Sequence, residues 1–366
     1  MHHLMFPSIT RLTLSPRRWL HWMSALLFPT LLFLGGDGQR CAAQTNGAAV
    51  VDQPEEEIKA LRAKARNYFK ANDFQGLEDM VAEVRSGPPV GGSGSWQLQH
   101  FYSALDPSRK DAEGVWKQHE STLQAWEKAF PQSITARIAH GRFLISYAWQ
   151  ARGAGWANTV TDDGWKAFGE RLQAAEKILA DAREMQPRDP MWWREKMTLA
   201  LGQGWSRTQE ASLFAEAKKN FPQFYLYDTA HAYYLLPRWY GEEGDWEKSA
   251  EEEMQKPEGL GAEGYARVVV HLMDYYGNIF RESHASWPKT RAGFEQIHKK
   301  YPASLFDTTL FYELACLAGD REVAQQLFQD LNGYIPPGMS ADLYQSFKNW
   351  TLTGEPAGGV SFAKHR

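Results

Sequence analysis

Five helix-breaking dipeptides set the frame for this chain. An apolar or polar residue followed by proline recurs at Phe130-Pro131, Gln186-Pro187, Phe221-Pro222, Lys256-Pro257 and Tyr301-Pro302, with the prolines 56, 35, 35 and 45 residues apart. Proline lacks the N–H that a helix interior requires, and it drives the residue before it out of helical geometry. Each dipeptide therefore marks a helix end. Between them the apolar residues recur three and four apart. Trp165, Phe168, Leu172, Ala175, Leu179 and Ala182 form one such seam, and Ile134, Ile138, Gly141, Ile145 and Ala148 another. No stretch shows sustained strand alternation bounded by hairpin turns.

A second signal marks the turns between two helices. Asn72-Asp73-Phe74, Gly244-Asp245-Trp246 and Gly319-Asp320-Arg321 each carry a residue tolerant of a helix C-terminus, then an Asp able to accept from the next helix's free N–H groups. The most conspicuous of these joints runs from Ala232 to Glu247, where Tyr233, Tyr234, Pro237, Trp239 and Tyr240 precede the turn and Trp246 follows it. A period near 35 matches the roughly 34-residue unit of tetratricopeptide repeats. The expectation is an all-α protein of stacked helical hairpins, a tetratricopeptide-like α-solenoid with irregular repeats over residues 55–352. Its 366 residues suffice for a large core. The 56-residue interval implies an insertion of about 20 residues over the repeat's period. It falls in a loop around Arg152–Trp165.

The N-terminus reads differently. Arg11, Arg17 and Arg18 precede an apolar run from Trp19 to Leu34, and Cys41-Ala42-Ala43-Gln44 follows. Together these parts form a secretory signal over residues 1–43, cleaved after Ala43. The apolar run is short for a spanning helix and contains His21, Ser24 and Pro29, so an uncleaved membrane anchor is the second choice. Residues 44–54 read as a disordered linker and 353–366 as a disordered tail. With the leader removed, Cys316 is the only thiol, which excludes an intrachain disulfide. An exported, periplasmic or extracellular protein is expected.

The formal charge of -4, with no run of basic residues, argues against nucleic acid as a partner. There is no His-Glu-x-x-His, no nucleophile elbow and no phosphate loop. His271, Asp274 and His284 lack the spacing of a metal site. No cofactor, metal or catalytic residue is assigned. Two aromatic–arginine clusters remain as binding candidates: Trp149, Arg152 and Trp156, and Arg238, Trp239 and Tyr240. Both sit at helix ends, where wedging neighbouring hairpins together is the simpler role. Asp162 and Asp163, between Trp156 and Trp165, suit a glycan site with indole stacking. More simply, one of them caps the helix that opens there.

The stretches Ala136–Ala139 with Tyr147–Gly153, Leu201–Trp205 and Tyr234–Gly241 resemble an uncharacterised bacterial family known only as a domain of unknown function. The resemblance spans residues 55 to 333. It implies helical hairpins and brings no activity or catalytic residues. Because stacked hairpins expose a concave face, the leading expectation is a protein- or peptide-binding module. The alternative is a cell-wall glycan-binding or glycan-processing protein with a Trp-lined site near the 153–164 loop.

Overall fold

The computed structural model describes residues 50–336 and 339–355. The expected signal segment 1–43, with Cys41, lies outside them, as do residues 44–49 of the expected linker and 356–366 of the tail. Among the described residues there are sixteen α-helices and two short 3-10 turns, and strand pairing is limited to one bridge between Val90 and Trp96. No described helix is long and apolar enough to cross a membrane.

Helices α1 (Gln53–Lys70) and α2 (Phe74–Ser86) form an N-terminal hairpin, followed by α3 (Gln97–Ala104) and α4 (Glu113–Ala129). Five repeating pairs come next: α5 (Ile134–Arg152) with α6 (Asp162–Ala182), α7 (Pro190–Gln203) with α8 (Arg207–Asn220), and α9 (Leu226–Tyr234) with α10 (Asp245–Met254). Helix α11 (Ala262–Leu272) pairs with α13 (Trp287–Lys300) across the single turn α12 (Ile279–Glu282), and α14 (Leu305–Ala318) pairs with α15 (Arg321–Asp330). Helix α16 (Ala341–Thr353) packs on α14 and α15. The chain is an all-α helical-repeat protein.

Each X-Pro step separates the second helix of one pair from the first helix of the next. Phe130, Phe221 and Tyr301 are the C-caps of α4, α8 and α13, and all three have left the helical region, with φ of -127°, -139° and -129°. The first helices form an inner row, in which α5 meets α7, α7 meets α9 and α9 meets α11. The 56-residue interval is taken up mainly by length. Helices α5 and α6 have 19 and 21 residues, whereas α7 and α8 have 14 each. What remains of the insertion is a short exposed connection, Gly153 to Thr161.

The Gly-Asp joints use two chemistries. Asp73 and Asp320 cap α2 and α15 by accepting from Gly76 N and Val323 N. Gly319 adopts the left-handed geometry that ends α14, at φ +78°. At the third joint the expected cap is replaced. Asp245 accepts from Glu242 N at 2.7 Å and pairs with Arg207 at 2.7 Å, so it braces the turn rather than the helix behind it.

The inner row is covered on both sides. Helix α7 buries Met191, Trp192, Trp193, Glu195, Lys196, Met197 and Leu199, which span its whole circumference. The second helices cover one side. The chain's own segment from Arg85 to Asp106 covers the other. Arg85 Nη2 donates to Asp189 Oδ2 at 2.5 Å and to Thr135 at 2.8 Å, and Tyr102 OH donates to the same Asp189 oxygen at 2.8 Å. Arg142 forks onto Asp106 (2.7 Å) and reaches Glu195 with its other nitrogen (2.7 Å). The Trp96 ring packs edge-on to Phe224 at 4.7 Å. A Cβ on Gly94 would meet Arg267 and Tyr301, which shows how closely this loop is seated. The N-terminal hairpin also meets the C-terminal repeats. Asp52 caps α1 and accepts from Phe306 N at 2.7 Å, near the start of α14. Asp52 is buried and α1 begins at Gln53, so residues 52–54 of the expected linker belong to the folded body.

The concave face expected of stacked hairpins is therefore not an open groove here. The N-terminal segment fills it, because it supplies both apolar rings and the partners that the buried charges of α5 and α7 require.

Candidate functional site

Most Trp residues among the described residues serve the core rather than a surface. Trp116, Trp126 and Trp246 are fully buried, and Trp192 packs edge-on against Trp193. Trp156 and Trp165 are the exceptions, at 58% and 40% exposed. Both flank the connection between α5 and α6.

That connection is built from local rules. Helix α5 ends at Arg152, a cation in the last turn, where it complements the carbonyl end of the helix. Gly153 at φ +75° turns the chain away. Thr161 then accepts from Gly164 N and caps α6. The expectation that Asp162 or Asp163 caps this helix is corrected: both lie inside the first turn and face solvent, where negative charge suits the helix N-terminus. The smaller hydroxyl of Thr161 occupies the cap itself.

The structure brings the two aromatic–arginine clusters together. The Trp149 ring stands edge-on to Trp239 at 5.7 Å, across residues far apart in sequence. Arg152 lies over Trp149 and over Trp165, 5.5 Å from each centroid. Trp239 continues to Tyr233 at 5.9 Å, and Tyr233 to Tyr275 at 5.2 Å. Arg238 lies over the Tyr275 ring at 5.6 Å and faces solvent. Burial pushes the Arg152 guanidinium below its usual range, opposed by Tyr233 and aided by the like charge of Arg238. Burial and the neighbouring Tyr233 hold Tyr275 well above the ordinary tyrosine value.

Tyr240 does not join this patch. It stacks on Tyr234 at 4.7 Å and donates to Leu201 O at 3.2 Å, locking the turn against the end of α7. Trp156 is in the patch's connecting loop, and its carbonyl accepts from Thr159. Sequence reasoning missed Tyr233, Tyr275 and Arg109 as neighbours of this site. Arg109, in the α3–α4 loop, is held low by burial while Tyr233 and Tyr275 favour its charge. No local pattern marks these three, since each comes from a different repeat or from the filling segment.

The histidine candidates separate. Burial and Arg194 depress His271 to about 3, and its ring faces Tyr233 at 6.1 Å. His284 is exposed beside Glu243 at 3.4 Å. Among the described residues no group of three His, Cys, Asp or Glu is arranged to hold a metal ion. Cys316 is buried, and burial pushes its thiol up to about 12. One of the best-formed cavities, between Lys218, Asp228 and Glu253, has only about 10 Å³, the scale of one water.

Fold and patch define a helical-repeat protein with a closed inner face and an aromatic–arginine surface at the α5–α6 connection. Residues 62–200 match the model of a family described as a domain of unknown function, DUF4034. The match covers less than half of the chain. It includes Arg152, Trp156, Asp162, Asp163 and Trp165, and it ends before Arg238, Trp239 and Tyr240. No curated protein and no solved structure matches the chain.

Proposed function

We propose that this protein is a non-enzymatic interaction module that binds a protein or peptide partner through the surface formed by Trp156, Trp165, Arg152 and Arg238. The observation that carries the reading is the exposure of two large indoles near two arginines, where the other described Trp residues pack in or against the core. Aromatic residues and Arg are enriched where binding energy concentrates. The filled inner face moves the reading away from a groove-bound peptide. Affinity capture compares the wild-type chain with a Trp156→Ala/Trp165→Ala variant. Partners retained by the first and lost by the second support the surface; an identical captured set refutes it.

A glycan ligand is the second reading. Trp156 and Trp165 present rings able to stack on a sugar face, and the exposed Asp162 and Asp163 supply acceptors for hydroxyls. Binding of peptidoglycan fragments that is lost in Trp156→Ala would favour it over a protein partner. The proposal also takes the chain to be exported, on the strength of the Arg11–Ala43 leader. N-terminal sequencing of exported material that begins at Gln44 supports cleavage, and a retained Met1 refutes it.

A further inference from the structure

Arg152 is nine-tenths buried, yet no carboxylate lies within ion-pair distance of it among the described residues. Its only acceptors are two carbonyls of the following loop, Gly153 O at 3.3 Å and Gly155 O at 3.1 Å, and both are reached by Nη1 alone. The Nε–Nη2 edge of the fork has no acceptor among the described residues. Three other enclosed guanidiniums are paired with carboxylates: Arg85 with Asp189, Arg142 with Asp106 and Glu195, and Arg267 with Glu263; Arg194, enclosed too, donates to the Thr198 hydroxyl instead. Arg238 likewise donates to no acceptor among the described residues and rests on the Tyr275 ring. Among the described residues neither arginine is paired with a carboxylate, although Asp162 and Asp163 follow Arg152 in sequence and Glu242 and Glu243 follow Arg238.

We propose that Arg152 and Arg238 form a two-pronged site for the carboxylate of an acidic side chain on a partner peptide, walled by Trp149, Trp165 and Trp239. The inference rests on the interaction-surface reading and names its partner chemistry. A planar carboxylate matches the free Nε–Nη2 edge in the bidentate arrangement that makes Arg–carboxylate pairs strong. Guanidinium stacked on aromatic faces keeps that edge directed outward and loses little freedom on binding. The charge is complementary: two adjacent cations disfavour each other until an anion joins them, which is the direction in which burial and Arg238 already move Arg152.

The test is an NMR titration of the full exported chain, reading the arginine Nε–Hε signals. Probes are a capped tri-glutamate peptide, its tri-glutamine counterpart and inorganic phosphate, all at equal ionic strength. Signals assigned to Arg152 and Arg238 should shift with tri-glutamate. Affinity for tri-glutamine should be about tenfold weaker, the worth of one charge-assisted hydrogen bond. Arg238→Gln, at an exposed position and with an unchanged melting temperature as its folding control, should lose about tenfold for tri-glutamate and nothing for tri-glutamine. Equal binding of tri-glutamine, an unaffected Arg238→Gln variant, or phosphate saturating the same signals at equal concentration would each overturn the assignment. If tri-glutamate fails while the Trp156→Ala/Trp165→Ala variant still loses its partner, the surface stands and the carboxylate chemistry falls.

Discussion

Replacing Asp189 by Ala should detach the N-terminal segment from the array, and the size of the effect follows from its contacts. Asp189 is fully buried at the start of α7. Its Oδ1 caps that helix by accepting from Met191 N at 2.8 Å. Its Oδ2 accepts from Arg85 and Tyr102, which belong to α2 and α3. Losing the cap costs about 1 kcal/mol. Leaving Arg85 charged and unpaired in a buried place costs roughly 3–5 kcal/mol. The sum is about 4–6 kcal/mol, comparable to the whole stability of many domains. Asp189→Asn keeps one carbonyl oxygen, enough for the cap, but turns an amide NH2 toward Arg85 and Tyr102 and removes the charge, so it should fall between wild type and Ala. Arg85→Met alone should also destabilise, and Arg85→Met/Asp189→Ala should lose less than the two singles together, with a coupling of about 2 kcal/mol or more. Urea unfolding followed by circular dichroism measures these differences. Hydrogen exchange supplies the spatial part: amides of residues 85–111 should lose protection in Asp189→Ala, while those of α14 and α15 should not. A loss under about 1 kcal/mol for Asp189→Ala, or additive singles, would show that this network does not hold the filling segment in place.

Other outcomes follow from single positions. At the N-terminal closure Glu55 is held up at about 7 by burial and then by Asp52 and Asp307, and Asp307 at about 6 by burial. The folded state thus holds protons that the unfolded state has released. Stability should fall as pH rises through the range from ordinary carboxylate values to about 7. Glu55→Gln should flatten that slope and raise Tm at pH 8, and a thermal melt series at pH 5 to 8 checks it. A Cβ on Gly241 would stand 1.9 Å from Leu235 O, so Gly241→Ala should cost more than about 2 kcal/mol by forcing the turn after α9 open. A wild-type Tm for that variant would be incompatible with the turn as described. Trp156→Ala, at an exposed ring, should leave stability within about 0.5 kcal/mol of wild type, and the same melts test this before any binding result is interpreted.

Local chemistry, read residue by residue, carried the sequence a long way. The X-Pro dipeptides and the seam from Phe168 to Ala182 mark helix ends and a buried face because proline geometry and helical periodicity act within a few residues. Asp73 and Asp320 cap as expected for the same reason. Asp162 and Asp163 show the limit. Thr161, one residue earlier, was equally able to cap, and the start of α6 decided between them.

The candidate site divides along the same line. Arg152, Trp165 and Arg238 are legible as unusual residues at helix ends, and Tyr240 looked no different from them. Only the fold turns Tyr240 onto Tyr234 and sets Trp149 against Trp239. The inner face is the larger case. Repeat spacing determines that inner helices line up, but what covers them depends on contacts over scores of residues. Arg85 meets Asp189, Arg142 meets Asp106, and Asp52 meets Phe306 across 254 residues. Such pairings depend on burial and charge neutralisation at places that adjacent residues do not specify. The sequence by itself determined a stack of helical hairpins. Tertiary structure alone decided that the chain fills its own groove, leaves its exposed indoles at the α5–α6 connection and brings Trp239, from the turn after α9, against Trp149 there.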